Sequence, residues 1–344
     1  LFRSVEKKTQ EQSCITYKFR SFKMKKQLLI AAVAATMTSV AMADISIAGA
    51  AKVNYKTTDF DSATVRDTNL FTNEADIKIT GKSGETTVVM NFANDSTGAD
   101  SFSAEDNYVK TSIEGVSLQA GNWDNGNNAL RASERGTGKF EASTSMGPVG
   151  IKYQTSGDDS DDSVTLSTEL SGVALSYKEK HKSEEIKVST AVSGVSISYF
   201  AMNSDTTNSD KSVVEVSGAF GGVDIKVAQA TADSATCISG DTWMGDFETT
   251  ASTATCASGT TAYDLSNGQD VRAISLKTSI AGNTVEFRNV DVDDVTGSDM
   301  SYNKFIVTRP LANGTTFEAT YTDLDDSVAT NDSAQLDLEL AVKF

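Results

Sequence analysis

Hydrophobic and polar residues alternate with a period of two through most of residues 44–344. Near the start, Ile45, Ile47 and Val53 are separated by polar or small residues. The same template returns as VGIKY at 149–153, VALSY at 173–177 and VSISY at 195–199. Successive side chains of a strand point to opposite faces. The pattern therefore predicts amphipathic β-strands of about eight to eleven residues, the length of a strand that crosses a membrane.

Two kinds of connection alternate between these strands, and their asymmetry is typical of outer-membrane barrels. The short, glycine-containing ones are 81–85, 114–115, 146–150, 171–172, 193–194, 220–222, 281–283 and 311–314. The long, polar ones are 57–68, 94–103, 122–137, 157–163, 180–184, 203–210, 231–270, 291–300 and 324–333. Eight short and nine long connections predict an all-β, antiparallel, up-and-down transmembrane barrel of 18 strands, with 16 left open by two weak strands.

Charged residues indicate which face of the strands meets lipid. Cations lie mid-strand opposite the apolar residues, at Lys52, Lys78, Lys110, Lys152, Lys226, Lys277 and Arg288. Each would cost roughly 2–4 kcal/mol near the middle of a bilayer. We therefore expect the apolar face to point outward and the charged face to line a wet lumen. Aromatic residues near the long connections fit an interfacial girdle, although strand preference alone also explains them: Tyr55, Phe140, Tyr153, Tyr177, Tyr199 and Tyr321.

The first 43 residues read as a targeting region. Residues 24–43 combine a basic start, an apolar stretch at 28–40 and the small-residue motif AMA at 41–43, which predicts a Sec signal peptide cleaved before Asp44. The apolar stretch is shorter than the ~20 residues of a transmembrane helix. Residues 1–23 are interpreted as an extension upstream of Met24; the alternative is a long cytoplasmic n-region. The barrel is expected over 44–344.

Charge and residue chemistry exclude several functions. The chain has 30 Lys+Arg and 47 Asp+Glu; residues 1–43 hold eight and two of them, which leaves a net charge of about −23 after cleavage. Such a chain repels nucleic acid. A single histidine, His181, and the absence of a G-x-S-x-G motif argue against a hydrolase. We expect no enzyme activity, cofactor or metal centre.

Two features of the predicted external segments suggest further chemistry. Cys237 and Cys256 are the only cysteines after residue 43, and in an exported chain they predict a disulfide within the long external loop 231–270. The acidic segments 157–163, 289–295 and 322–326 are expected to be external loops. They either bind divalent cations that bridge to lipopolysaccharide or are simply solvated.

The end of the chain carries the most specific pattern. In SAQLDLELAVKF the outward positions of a terminal strand would be Leu336, Leu338, Leu340, Val342 and Phe344. Together with ISIAGAAKVNY at 45–55 and NYVKTSIEGVSLQAGN at 107–122, this segment resembles the general porins of Gram-negative outer membranes. The resemblance implies 16 strands, a homotrimer, a location among outer-membrane lipid and lipopolysaccharide, and recognition of the closing Phe by the barrel-assembly machinery.

The same resemblance implies a pore constriction. Segment 122–137 would fold into the barrel and present Asp124, Arg131, Glu134 and Arg135 toward the wall cations Lys52, Lys78 and Arg288. Opposed charges across a narrow passage restrict solute size; the alternative is a solvated loop. We therefore expect a passive, cation-preferring porin for small polar solutes. The alternatives are a secreted β-rich surface protein or adhesin without a channel, and a substrate-specific outer-membrane channel.

Overall fold

A computed structural model describes the twelve segments used below. They are residues 44–61, 67–96, 102–124, 135–156, 162–181, 183–204, 210–232, 236–238, 263–265, 269–293, 299–326 and 332–344. The predicted signal peptide, the upstream extension and the centres of most long connections lie outside these residues.

Twenty strands make up the described chain. They are β1 (Asp44–Phe60), β2 (Thr68–Ser83), β3 (Thr86–Ser96), β4 (Ser103–Ile113), β5 (Val116–Asp124), β6 (Arg135–Met146), β7 (Val149–Thr155), β8 (Ser163–Leu170), β9 (Val173–Lys180), β10 (Ser183–Val192), β11 (Val195–Ser204), β12 (Lys211–Phe220), β13 (Val223–Ala232), β14 (Thr236–Ile238), β15 (Tyr263–Leu265), β16 (Gln269–Ile280), β17 (Asn283–Asp293), β18 (Met300–Pro310), β19 (Thr315–Asp326) and β20 (Ser333–Lys343).

Eighteen of these strands form one closed antiparallel barrel. Each pairs with its neighbour along the chain, β13 pairs with β16, and β20 returns to pair with β1, so no strand of the barrel has a free edge. β14 and β15 form a separate two-stranded sheet. The predicted barrel and the count of 18 strands are confirmed, and the 16 strands implied by the resemblance are wrong.

Tight hairpins close the end of the barrel where the short connections lie, here called the turn end; the opposite end is called the loop end. Five hairpins have two central residues with positive φ: Glu114–Gly115, Ser171–Gly172, Ser193–Gly194, Gly221–Gly222 and Ala281–Gly282. This is the type I′ geometry, whose twist matches that of paired strands. A glycine at the second position tolerates the positive φ, which explains why the sequence marks these turns so clearly.

Three segments predicted as loops belong to strands instead. Residues 289–293 lie in β17 and 322–326 lie in β19, because their valines and leucine alternate with aspartates and are buried on one face. Connection 180–184 is shorter than predicted, since Ser183 and Glu184 of β10 pair with Lys180 and Glu179 of β9. Beside this connection, Glu185 faces inward between Lys178 and Lys180, at 3.8 and 3.7 Å from their amino groups.

The outward face carries a continuous apolar band. Register partners share a face of a sheet, and Val53, Leu340 and Phe317 lie side by side on β1, β20 and β19. Side chains of this band are exposed because nothing in the single chain covers them, as for Leu340 at 49% and Phe305 at 49%. The predicted face assignment is therefore confirmed: apolar side chains point out and mid-strand charges point in.

Polarity reverses at the loop end of one side of the barrel. There the outward positions are polar, with Asn289, Asn303 and Asp323 in register across β17, β18 and β19. The inward positions form a buried apolar cluster, here called the inner cluster: Val213, Ala228, Ala230, Val271, Ala273, Val290, Val292, Met300, Tyr302 and Leu324. These strands therefore continue beyond the apolar band, with their outer surface polar and their inner surface packed.

Candidate functional site

The inner wall of the barrel carries opposite charges in neighbouring positions. All seven cations predicted to line the lumen lie on the inward face in the registers of β1, β2, β4, β7, β13, β16 and β17. Carboxylates occupy the same face, so positive and negative groups are interleaved around the described strands. Charges of both signs on one wall suit a passage for hydrated ions and polar solutes.

Several of these charges form ion pairs across adjacent strands. Lys52 Nζ lies 2.6 Å from Glu74 Oε2, and Lys226 Nζ lies 3.0 Å from Glu215 Oε2. Lys152 contacts Glu141 at 3.4 Å. Partly exposed pairs of this kind contribute little to stability, about 0–1 kcal/mol each. Their consequence here is geometric, because each lysine is held near the wall.

Arg288 is held by Glu286 of its own strand, and a residue of the neighbouring strand β16 fixes that glutamate. Its Nε donates to Glu286 Oε1 at 2.6 Å, and Ser275 Oγ donates to the same oxygen at 2.9 Å. The Arg288 side chain is only 18% exposed. Arg288 is thus held at the wall by Glu286, whose carboxylate also accepts a hydrogen bond from Ser275.

A polar groove runs along the seam where the barrel closes. It is lined by residues of β1, β18, β19 and β20, including Asn54, Lys304, Thr320, Asp337 and Glu339. Asn54 Nδ2 donates to Asp337 Oδ2 at 3.3 Å, and nearby Thr308 Oγ1 donates to Glu318 Oε2 at 2.8 Å. The seam is therefore hydrophilic inside and apolar outside, as a closing strand with strict alternation requires.

The predicted constriction lies partly within the described residues. Asp124 and Arg135 are register partners at the loop end of β5 and β6. Arg131 and Glu134 lie outside the described residues, as does Cys256; Cys237 lies in β14, where it pairs with Asp264 through the backbone. The structure thus brings Asp124 and Arg135 to the same place, and the constriction and the disulfide remain predictions.

Sequence reasoning missed two inward features. The first is the inner cluster, for which the alternation NVDVD at 289–293 was the available signal, with valine on one face and aspartate on the other. The second involves Trp123 and Lys139, which are both inward-facing and buried, at 7% and 5% exposure. No short motif marks this pair, because strands β5 and β6 bring the residues together across an irregular ladder.

Aromatic rings mark the loop-end border of the outward band. The Tyr55 ring packs against Phe71 at 5.6 Å between centroids, and Phe287 packs against Phe305 at 4.8 Å. Tyr55 Oη donates to Asn69 Oδ1 at 3.2 Å, and Tyr153 Oη donates to Asp162 Oδ2 at 3.1 Å. Rings in the band with hydroxyls directed to polar partners have the geometry of an interfacial girdle.

Over the part of the chain that the structure describes, no helix is long and apolar enough to cross a membrane. Within the same part, no group of three or more His, Cys, Asp or Glu side chains is arranged to hold a metal ion.

Comparison with known proteins identifies the fold. No family model and no curated protein matches the sequence. Among solved structures, Acinetobacter baumannii OccAB4 has a TM-score of 0.63 at 10% identity and covers 88% of this chain and 98% of its own. Pseudomonas aeruginosa OccK9 (OpdG) has a TM-score of 0.64 at 10% identity, and a BenF-like porin from Pseudomonas fluorescens Pf-5 has a TM-score of 0.61 at 11% identity. Each of these two matches covers 88% of this chain and 98% of the solved chain. The predicted outer-membrane β-barrel is thus confirmed in its fold, and the chain has the closed-barrel fold of the porins.

Proposed function

We propose that this chain is an outer-membrane porin, forming a water-filled channel through which ions and small polar solutes diffuse passively. The observation that carries the proposal is the opposite chemistry of the two barrel faces. Outside, an apolar band bordered by aromatic rings suits acyl chains. Inside, interleaved lysines and carboxylates such as Lys52 and Glu74 need water or each other. A secreted adhesin has no need of a closed barrel with that outward band.

The narrow part of the channel is proposed to involve segment 122–137. Asp124 and Arg135 are register partners at the loop end of β5 and β6. We expect them to act with Arg131 and Glu134 against the wall cations Lys52, Lys78 and Arg288. Charges of opposite sign across a passage create a transverse field that orients and sorts polar solutes. Ion pairs hold Lys52 and Arg288 near the wall, which keeps the passage open beside them.

Cation preference is the expected selectivity, and its origin is proposed to be the loop end. The wall itself carries both signs, whereas outward carboxylates lie at the loop end of β17 and β19, at Asp291, Asp293, Asp323 and Asp325. Carboxylates at a channel mouth concentrate cations before they enter. Such an effect weakens as salt rises, because the Debye length falls from about 10 Å at 0.1 M to about 3 Å at 1 M.

The remaining partners are proposed on the same basis. Lipid and lipopolysaccharide would surround the outward band, the barrel-assembly machinery would insert the chain, and a homotrimer would be its assembled form. A Cys237–Cys256 disulfide would shape the external segment 231–270. Conduction rather than catalysis is the proposed activity, and the similarity of the fold to that of a BenF-like porin supports it.

Swelling of lipid vesicles in neutral sugars of increasing size tests the proposed passive channel. Vesicles containing the protein should swell at rates that fall steadily with sugar mass, because an aqueous passage sorts neutral solutes by size. Vesicles prepared without protein are the control. Equal, background swelling in every sugar, with the barrel correctly folded, would contradict the proposal.

A substrate-specific channel is the second candidate. The observation in its favour is the inner cluster, which occupies part of the lumen wall at the loop end with Val290 at 0% and Tyr302 at 1% exposure. A lumen narrowed on one side would favour solutes of a particular shape. In the swelling experiment this candidate predicts one solute that enters far faster than its mass allows, and whose flux saturates with concentration.

A further inference from the structure

Three inward side chains form a row across the seam that closes the barrel. Glu318 of β19 is the register partner of Glu339 of β20, and Glu339 is the register partner of Asn54 of β1. We call these three residues the seam row. All three line the polar groove at the seam, which has a volume of about 200 Å³. The seam row therefore presents its polar groups to one cavity in the wall of the lumen.

The two carboxylates of the seam row lie side by side without a cation between them. Among the described residues, neither Glu318 nor Glu339 forms an ion pair. The lysine two residues along β1, Lys52, instead contacts Glu74 of β2 at 2.6 Å. Like charges directly opposite each other on adjacent strands destabilise a sheet. A bound cation would remove that repulsion.

The third member of the seam row adds an acceptor that no donor uses. Asn54 Nδ2 donates to Asp337 Oδ2 at 3.3 Å. Asn54 Oδ1 is buried and accepts no hydrogen bond within the described chain. In the carboxylate of Glu318, Oε2 accepts a hydrogen bond from Thr308 at 2.8 Å. Buried acceptors usually have a donor, so the seam row has the character of a site that lacks its ligand's N–H groups.

Two threonines of β19 continue the groove from the seam row toward the loop end. Thr320 and Thr322 are 9% and 7% exposed, and both line the groove. Neither hydroxyl forms a hydrogen bond with another described residue. Buried polar side chains that converge on one cavity are typical of a site for a polar ligand. Lys56, Lys304 and Asp337 also line this part of the groove, so the excess of negative charge lies at the seam row.

We propose that the seam row binds the primary ammonium group of a small cationic solute. An ammonium group on an alkyl chain has three N–H donors, and the seam row offers three acceptor groups, two of them charged. Hydrogen bonds between charged partners are about twice as strong as neutral ones. A calcium ion takes about six to eight oxygen ligands around it, which one row on one wall does not supply. The inference rests on the proposed function, because it names a class of solute that binds within the passage.

Saturation-transfer NMR of the folded protein in neutral detergent tests the proposal with ethylammonium as the probe. The control probe is tetramethylammonium, which has the same charge and no N–H donor. Ethylammonium should bind roughly tenfold more tightly, since a hydrogen bond to a charged group contributes about that much to an affinity. Equal affinities for the two probes would overturn the proposal, because charge alone would then account for binding.

A pair of charge-removing variants tests the position of the site. Glu339→Gln should weaken ethylammonium binding roughly tenfold, because one charged acceptor becomes neutral. The matched control is Glu169→Gln, which removes an exposed inward carboxylate of β8 whose register partner is Ala174. This control should leave the affinity for ethylammonium unchanged. An equal loss of affinity in the two variants would overturn the proposal.

The unfolding temperature separates ligand binding from a structural role. Glu339→Gln removes the repulsion between Glu339 and Glu318, so the variant should unfold at a temperature no lower than that of the parent. Glu318→Gln should behave in the same way. A lower unfolding temperature in Glu339→Gln with unchanged ethylammonium affinity would overturn the proposal. Folded wild-type protein that binds ethylammonium but passes no current would contradict the proposed channel alone.

Discussion

The ring of Phe344 lies directly over Gly49 at the seam that closes the barrel. The two residues exchange backbone hydrogen bonds, with Gly49 N donating to Phe344 O at 2.8 Å and Phe344 N donating to Gly49 O at 2.9 Å. A Cβ on Gly49 would overlap the phenyl ring. Phe344, which directly follows β20, thus packs on β1, and Gly49 leaves room for its ring.

Gly49→Ala should weaken this seam. The added methyl displaces the Phe344 ring, and overpacking of this kind costs about 1–3 kcal/mol. Gly81→Ala is the matched control, because Gly81 is an outward glycine of the adjacent strand and a Cβ there would meet no atom within 4 Å. Heat-modifiable migration in detergent would measure the effect, with an expected fall in the unfolding temperature for Gly49→Ala only. Equal temperatures for both variants would mean that the ring contact does not matter.

Adjacent residues of β8 should respond oppositely to a positive charge. Leu166 faces outward at 42% exposure within the apolar band, and Ser167 faces inward beside Gly150 and Ser176. Leu166→Lys should cost roughly 2–4 kcal/mol of folding free energy in lipid vesicles, whereas Ser167→Lys should cost little. The opposite ranking would require the two faces of the barrel to be exchanged.

The inner cluster should tolerate charge poorly, although it faces the lumen. Val290 is 0% exposed and lies between Ala273 and Tyr302. Val290→Asp buries a carboxylate among apolar groups and should cost several kcal/mol. Asp291→Val, one residue along and exposed outward, should change stability by less than about 0.5 kcal/mol. Unfolding in urea compares the two, and a stable Val290→Asp protein would show that the cluster is wet.

Outward carboxylates at the loop end should account for cation preference. In Asp323→Asn combined with Asp325→Asn, the reversal potential in a salt gradient should move toward zero at about 0.1 M salt and change little at 1 M. The control, Glu85→Gln combined with Glu114→Gln, removes two exposed carboxylates at the turn end. If the control pair changes the potential as much as the aspartate pair, the origin of selectivity is not at the loop end.

Much of the fold follows from local patterns. The positions of Gly115, Gly172 and Gly194 mark hairpins because type I′ turns require positive φ, and period-two alternation fixes which face of each strand is apolar. Strand ends at the loop end were less predictable. From sequence alone, Asp291 and Asp323 resemble loop residues. They belong to strands because β17 and β19 continue beyond the apolar band, where the outward face becomes polar and the inward face is buried.

The candidate site was predictable only in part, for a related reason. Alternation alone places Lys52 and Arg288 inside, but their partners Glu74 and Glu286 depend on register, and register depends on the closed ladder. The contact of Lys139 with Trp123 depends on a shift of that ladder, which no spacing in the sequence encodes. Non-local pairing, rather than residue type, therefore determines which charges are held at the wall.

Conductance of the purified, folded protein in planar lipid bilayers tests the central claim most directly. Charged side chains around a continuous aqueous lumen predict discrete, long-lived current steps whose size rises in proportion to the conductivity of the bathing salt. Folded protein that inserts into the bilayer and yields no current steps at any salt concentration would contradict the claim.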